Sequence, residues 1–104
     1  MSTAAKFDDL IHPSTRLSIV ALLAAADWAD FPFVRDRLGL SDSALSKQFS
    51  TLEDAGYLLI DRPVTDNRRR VRVRLTDTGR RAFLGHVAAL QEIVSPASAD
   101  GGPR

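Results

Sequence analysis

Apolar residues recur at helical spacing through the first half of this chain, alternate with arginines around residue 72, and return to helical spacing afterwards. Residues 3–11 place Phe7, Leu10 and Ile11 on one side of a short leading helix, which His12-Pro13 interrupts. Proline disfavours a helical residue before it and suits the first turn of a new helix. A longer helix is therefore expected from about Pro13 to Ala26. Its apolar positions Leu17, Val20, Ala21 and Ala24 share one stripe, and Ile19, Leu22 and Leu23 widen it. An apolar second half implies a central, buried helix.

Asp27 to Phe31 reads as a connector with room for a very short strand. Pro32 to Leu38 is a second helix, and Gly39 follows where a left-handed residue is usually needed. Ser41 is a good N-cap for a third helix, Asp42 to Ala55, with Asp42 at the positive end of its dipole. Leu45, Phe49, Leu52 and Gly56 line one face, while Ser43, Ala44, Lys47, Gln48, Ser50 and Thr51 lie away from it.

Tyr57 to Asp61 reads as a strand. Val71, Val73 and Leu75 alternate with Arg70, Arg72 and Arg74, the period of a half-buried strand with a basic outer face. Residues 64–69 between them hold turn formers and make a hairpin tip. Thr76 or Asp77 caps a last helix running to about Val94, with Phe83, Val87, Leu90 and Val94 as its apolar set and Leu84 and Ala88 beside them. Residues 95–104 have almost nothing to bury and are expected to be disordered. The fold class implied is mainly α with a small β-hairpin (α+β): a three-helix core, a hairpin and a long C-terminal helix, as one domain over residues 1–94.

Composition narrows the classes. A chain of 104 residues suffices for one core that buries roughly two-thirds of the unfolded surface. There are no cysteines, which removes disulfides, thiolate metal sites and thiol redox sensing. The longest apolar run, Ile19 to Ala26, is too short to span a bilayer. The first ten residues lack the basic-then-apolar order of a signal peptide, so a cytoplasmic protein without a membrane partner is expected. The net charge of +1 hides an uneven distribution. Residues 57–81 hold eight arginines against Asp61, Asp66 and Asp77, whereas residues 1–56 hold five basic and eight acidic side chains. Positive charge gathered in one place suits a directed electrostatic footprint. Arginine outnumbers lysine twelve to two; a GC-rich genome explains that ratio as readily as groove reading does, but it does not explain the clustering.

Two short helices joined by Gly39-Leu40-Ser41 have the length and composition of a helix-turn-helix. In such a unit the second helix enters the major groove of duplex DNA. Ser41, Ser43, Ala44, Ser46, Lys47, Gln48 and Thr51 are the candidate contacts on it, with Gln48 able to read adenine by paired hydrogen bonds. From the hairpin, Arg62, Arg68, Arg69, Arg70 and Arg72 join them. Arginines at the tip suit the narrow minor groove, and Arg70, Arg72 and Arg74 suit phosphates. A solvated helix face and a solvated basic hairpin are the plain alternatives for each feature alone. Their succession, one strand apart, favours DNA.

At this point the chain resembles the winged-helix transcriptional regulators related to MarR and ArsR. The stretches that carry the likeness are His12-Pro13-Ser14-Thr15-Arg16-Leu17-Ser18-Ile19, Leu38-Gly39-Leu40-Ser41-Asp42-Ser43-Ala44-Leu45-Ser46-Lys47, Leu52-Glu53-Asp54-Ala55-Gly56-Tyr57-Leu58, Asp66-Asn67-Arg68-Arg69-Arg70 and Leu75-Thr76-Asp77-Thr78-Gly79-Arg80. The resemblance covers residues 10–94 and is nearest to a compact stand-alone subgroup. It implies Ser43, Ser46, Lys47 and Gln48 in the major groove, Arg68 at the wing tip, and a dimer contact from the Thr-x-x-Gly-Arg helix. The chain is shorter than full-length MarR proteins, so a large effector pocket between extended helical arms is not expected.

The dimer surface expected is Phe7, Leu10 and Ile11 with Leu84, Val87, Leu90, Gln91 and Val94, because the last helix carries more apolar positions than one core needs. The partner implied is double-stranded DNA with a pseudo-palindromic operator, bound by a homodimer that represses by occluding a promoter. His12 and His86 are far apart in sequence and lack acidic neighbours at metal-ligand spacing, so no metal and no cofactor is expected. No Gly-rich phosphate loop, nucleophile elbow or carboxylate pair points to an enzyme. Trp28, Phe31 and Phe33 read as core packing between the first long helix and the helix-turn-helix. Two rival readings stand beside this one: a winged-helix protein-interaction module that never touches DNA, and a regulator that senses a small ligand through that aromatic group.

Overall fold

The computed structural model describes residues 4–62, 64–65 and 68–95, of which 64–65 and 68–69 are described by their backbone. Helices α1 (Ser14–Ala24), α2 (Phe31–Leu38), α3 (Asp42–Asp54) and α4 (Asp77–Val94) surround a small sheet. Its strands are β1 (Ala29–Asp30), β2 (Leu58–Asp61) and β5 (Arg72–Leu75), in the antiparallel order β1-β5-β2. Leu58 faces Leu75 and Ile60 faces Val73, which turns Leu58, Val73 and Leu75 into the core. Beyond this sheet a second ribbon forms, β3 (Val64–Thr65) against β4 (Arg68–Arg69). The tip expected as a plain loop is thus itself partly paired, and β4 carries Arg68 and Arg69 on its backbone. Asp66 and Asn67 lie outside the described residues, as do residues 96–104, on which the expected disorder of the tail falls.

One apolar cluster joins Ile19, Val20 and Leu23 of α1, Val34 of α2, Leu45, Phe49 and Leu52 of α3, and the inward sheet residues. Burying an aliphatic side chain of this size stabilises a fold by about 1.5–3 kcal/mol. In α1 the buried residues are Val20 of the expected stripe with Ile19 and Leu23 of the set expected to widen it, while Ala21 is exposed. The reason is position: α1 is packed by α2, α3 and α4 and by β5, so the bulkiest side chains take the centre.

The leading helix does not form. Residues 4–8 have no regular structure and residues 9–11 turn. Asp8 competes with helix formation, its Oδ1 accepting from the backbone N–H of Leu10 (2.9 Å) and Ile11 (3.2 Å) while its carbonyl accepts from His12 N–H. The segment is instead laid across α4 as a strap. Lys6 N–H donates to the Gly85 carbonyl, and the Tyr57 hydroxyl donates to Asp8 Oδ2 at 2.6 Å. That bond to a carboxylate pushes the Tyr57 hydroxyl up to about 12.

Helix α4 turns its small residues inward. Gly79, Gly85 and Ala89 are buried, whereas Leu84, Ile93 and Val94 of the same helix are exposed. His86 is fully buried. Although His12 and His86 are remote in sequence, the fold brings His12 Nδ1 within 3.2 Å of His86 Nε2, and the Phe7 ring lies against both imidazoles. His86 Nδ1 accepts the Asp8 backbone N–H at 2.9 Å, so the proton of the neutral ring sits on Nε2 and is donated to His12. Burial, then the neighbouring His12, hold His86 below its ordinary value of 6.5. The unfolded chain therefore takes up this proton first. The stabilisation is complete above pH 6.5 and is lost as pH falls through the folded-state value, by at most about 1.4 kcal/mol per pH unit. Urea midpoints of wild type and His86→Gln, followed from pH 7.5 to 5, should converge as pH falls; parallel curves would refute this role.

Candidate nucleic-acid interface

The turn between α2 and α3 is built as its sequence requires. Gly39 adopts φ 68°, and the amides of Gly39 and Leu40 close on the carbonyls of Asp36 and Arg35. Ser41 Oγ accepts the Ala44 N–H at 3.1 Å and caps α3. Arg35 fixes the angle between the helices, its Nε donating to Asp36 Oδ1 (2.8 Å) and its Nη1 to Asp42 Oδ1 (2.9 Å). These bonds hold the guanidinium above its ordinary range and the Asp36 carboxyl below its own.

With Leu45, Phe49 and Leu52 inward, α3 leaves Ser43, Ser46, Lys47 and Ser50 exposed and Ala44, Gln48 and Thr51 half-buried. Gly56, expected on the inward face, is exposed beyond the helix end and takes φ 82°. Three candidate hydroxyls are already engaged: Ser41 serves the cap, Ser43 Oγ lies 3.4 Å from Ser41 Oγ, and Thr51 Oγ1 donates to the Lys47 carbonyl at 3.2 Å. Gln48 is engaged as well. Its Oε1 accepts from Arg16 Nη1 at 3.0 Å, and Arg16 Nε donates to the Leu10 carbonyl at 2.6 Å. The expected two-bond pairing of Gln48 with adenine would draw on that same oxygen. Arg16 was invisible as a site residue in the sequence because its partners lie six and 32 positions away.

The wing arginines divide into two sets. Arg62 and Arg70 are exposed, Arg70 reaching Asp30 at only 3.8 Å. Arg72 and Arg74 are held by the protein itself. Arg72 Nε donates to Asp61 Oδ2 at 3.1 Å and its guanidinium lies 4.4 Å from the centre of the Trp28 ring; Arg74 sits 3.7 Å from Asp27 and 5.4 Å from that ring. The expected free basic face of β5 is thus an arginine layer stacked on an indole. The side chains of Arg68 and Arg69 lie outside the described part of the structure.

The aromatic group disperses. Phe31 packs edge-on against Phe49, Trp28 lies under the arginines, and Phe33 is 48% exposed. Core packing therefore holds for Phe31 alone. Between the foot of the wing and α3 an open cavity of about 310 Å³ is floored by Phe31, Phe49, Ile60 and Val71 and rimmed by Asp42, Ser46 and Arg62.

Of the expected dimer residues, Ile11 is fully buried within the subunit and is withdrawn. The Asp8 turn points it into the core. Leu10 is half-buried against the core cluster. Phe7, Leu84, Gln91 and Val94 are exposed, and Val87 and Leu90 are half-buried. Among the described residues no group of three or more His, Cys, Asp or Glu could hold a metal ion, and no helix is long and apolar enough to cross a membrane.

Comparison with known proteins gives this geometry its context. An uncharacterized protein of Methanocaldococcus jannaschii is 26% identical over 84 residues, covering 81% of this chain and 91% of its own. A transcriptional regulator homologue from Pyrococcus horikoshii superposes with a TM-score of 0.79 at 23% identity, over 84% of this chain and 86% of that one. A zinc-responsive MarR family member from Lactococcus lactis superposes with a TM-score of 0.64 at 22% identity, over 90% of this chain and 64% of that one. The family model for the winged helix DNA-binding domain matches residues 15–94, from the first turn of α1 to the last residue of α4. The chain belongs to the winged helix DNA-binding domain family.

Proposed function

We propose that this chain is a sequence-specific, double-stranded-DNA-binding transcriptional regulator that acts as a homodimer and represses by occluding a promoter. The observation that carries the reading is the meeting of two surfaces: the exposed Ser43, Ser46, Lys47 and Ser50 on α3, and the exposed Arg62 and Arg70 at the foot of the wing. The N-terminus of α3, the positive end of its dipole, suits a phosphate. Helix α3 then reads the major groove while the wing, with Arg68 and Arg69, enters the flanking minor groove.

The homodimer is supported by the unpartnered apolar surface of α4. Leu84 is 46% and Val94 75% exposed, with Val87, Leu90, Gln91 and the nearby Phe7 as candidate neighbours. Isologous pairing predicts an operator with two inverted half-sites about one helical turn apart. Selecting bound duplexes from a random pool tests binding, symmetry and spacing together. The expected result is an inverted repeat, bound with an affinity that falls steeply with salt. A purified protein that retains no duplex at low salt would instead be a protein-interaction module.

A further inference from the structure

We infer that Arg16 is a positioning residue for base recognition: it turns the carbonyl of the Gln48 carboxamide inward, so that Gln48 meets DNA as a hydrogen-bond donor only. The inference rests on the DNA-binding reading above and assigns it a specific recognition chemistry. Arginine has no acceptor. The Gln48 atom 3.0 Å from Arg16 Nη1 must therefore be the oxygen, and the amide nitrogen must point the other way. Gln48 is half-buried on the flank of α3, with Ala44 and Thr51 beside it towards the outward Lys47.

Arg16 is itself held fast. Its Nε donates to the Leu10 carbonyl at 2.6 Å. Leu10 is set in turn by the Asp8 turn, whose carboxylate accepts from Leu10 N–H, Ile11 N–H and the Tyr57 hydroxyl. A guanidinium gripped at Nε has little freedom to let the carboxamide flip.

The consequence is chemical. In the major groove, adenine, guanine and thymine each present at least one acceptor, whereas cytosine offers only its N4 amino donors. An outward N–H donor accepts the first three and rejects cytosine. At one position in each half-site, cytosine should be depleted, and adenine should gain nothing over guanine.

The test is selection from a random duplex pool with four proteins: wild type, Arg16→Met, Gln48→Ala and Gln48→Glu, each first checked for a cooperative melt. Wild type should deplete cytosine at one position per half-site by about tenfold, the discrimination expected of a single good base contact. Arg16→Met should lose that depletion and leave preferences elsewhere unchanged, because the freed amide can rotate and accept from cytosine. Gln48→Ala should be indifferent at the same position. Gln48→Glu keeps an acceptor for Arg16 but presents oxygen outward, so it should favour cytosine there.

A role for Arg16 in stability alone would lower the melting temperature without moving the preference at that single position. Unchanged selection by Arg16→Met, or a loss spread evenly over all sequences, overturns the inference while leaving DNA binding standing. Absence of duplex binding by wild type overturns both.

Discussion

Replacing Arg68, Arg69 and Arg70 together by alanine is expected to weaken duplex binding by about two orders of magnitude near 0.1 M salt. Each cation near a phosphate releases about 0.9 of a counterion, so the slope of log affinity against log salt should flatten by about 2 to 3. The loss should fall on specific and random duplexes alike, because backbone and minor-groove contacts carry little sequence information. Arg72→Ala should do much less to the slope. Its guanidinium is already committed to Asp61 and the Trp28 ring, and an arginine that neutralises a neighbouring carboxylate leaves little charge for DNA. Salt titrations of binding by fluorescence anisotropy separate the two. Equal slopes for the triple variant and wild type would mean that the wing does not touch the duplex.

Gly79→Ala is expected to destabilise the fold by about 2–3 kcal/mol, a fall in melting temperature of roughly 10–20 °C for a domain of this size. An alanine Cβ at this position would lie 3.0 Å from Tyr57 Cα and carbonyl carbon and closer still to the carbonyl oxygen. All three are backbone atoms and cannot swing aside. They are fixed because Thr76 N–H donates to that same Tyr57 carbonyl, while Thr76 Oγ1 donates to the Gly56 carbonyl at 2.6 Å and accepts the Gly79 N–H. The gain of about 1 kcal/mol that alanine brings to a helix interior does not offset this clash. Gly85→Ala provides the contrast. Its Cβ would meet the Ala4 carbonyl oxygen at 3.1 Å, but that oxygen belongs to the terminal strap, which can shift by a few tenths of an ångström. Equilibrium urea unfolding should rank Gly79→Ala well below Gly85→Ala; a Gly79→Ala protein as stable as wild type would contradict the close approach of α4 to Tyr57.

Gly79 also illustrates what a sequence signal means before its cause is visible. Thr76-Asp77-Thr78-Gly79-Arg80 carried part of the family resemblance, read as a helix start with a dimer contact. In the fold, three of these residues also hold their own subunit together. Thr76 caps α4, Gly79 admits the Tyr57 carbonyl, and Arg80 Nη1 donates to the Ala24 carbonyl at the end of α1. Tyr57 and Ala24 both lie outside the motif, so neither contact could be read from it.

The elements themselves were legible along the chain. The helix-turn-helix, its Ser41 cap, its left-handed Gly39 and the β2–β5 pairing follow from local rules of period, capping and turn chemistry, which act over a few residues. The candidate surface on α3 followed too, because the inward triad Leu45, Phe49 and Leu52 fixes which residues face out. The strap could not be read this way. Phe7, Leu10 and Ile11 fit a helical stripe, yet Asp8 gains more from its turn and from the hydroxyl of Tyr57, 49 positions away. The inward places of Gly79 and Gly85 on α4 could not be read this way either, since only the fold brings the Tyr57 backbone and the strap against them.

By itself, then, the sequence determined that a helix-turn-helix precedes a basic hairpin and that positive charge gathers there, because spacing and charge count are properties of neighbours in the chain. Only the tertiary structure decided which arginines remain free. Arg72 and Arg74 are taken up by Trp28, Asp61 and Asp27, while Arg16, outside the basic cluster, reaches Gln48 on α3. Hydrogen bonds and stacking depend on distances across the core, and those exist only once the helices have packed.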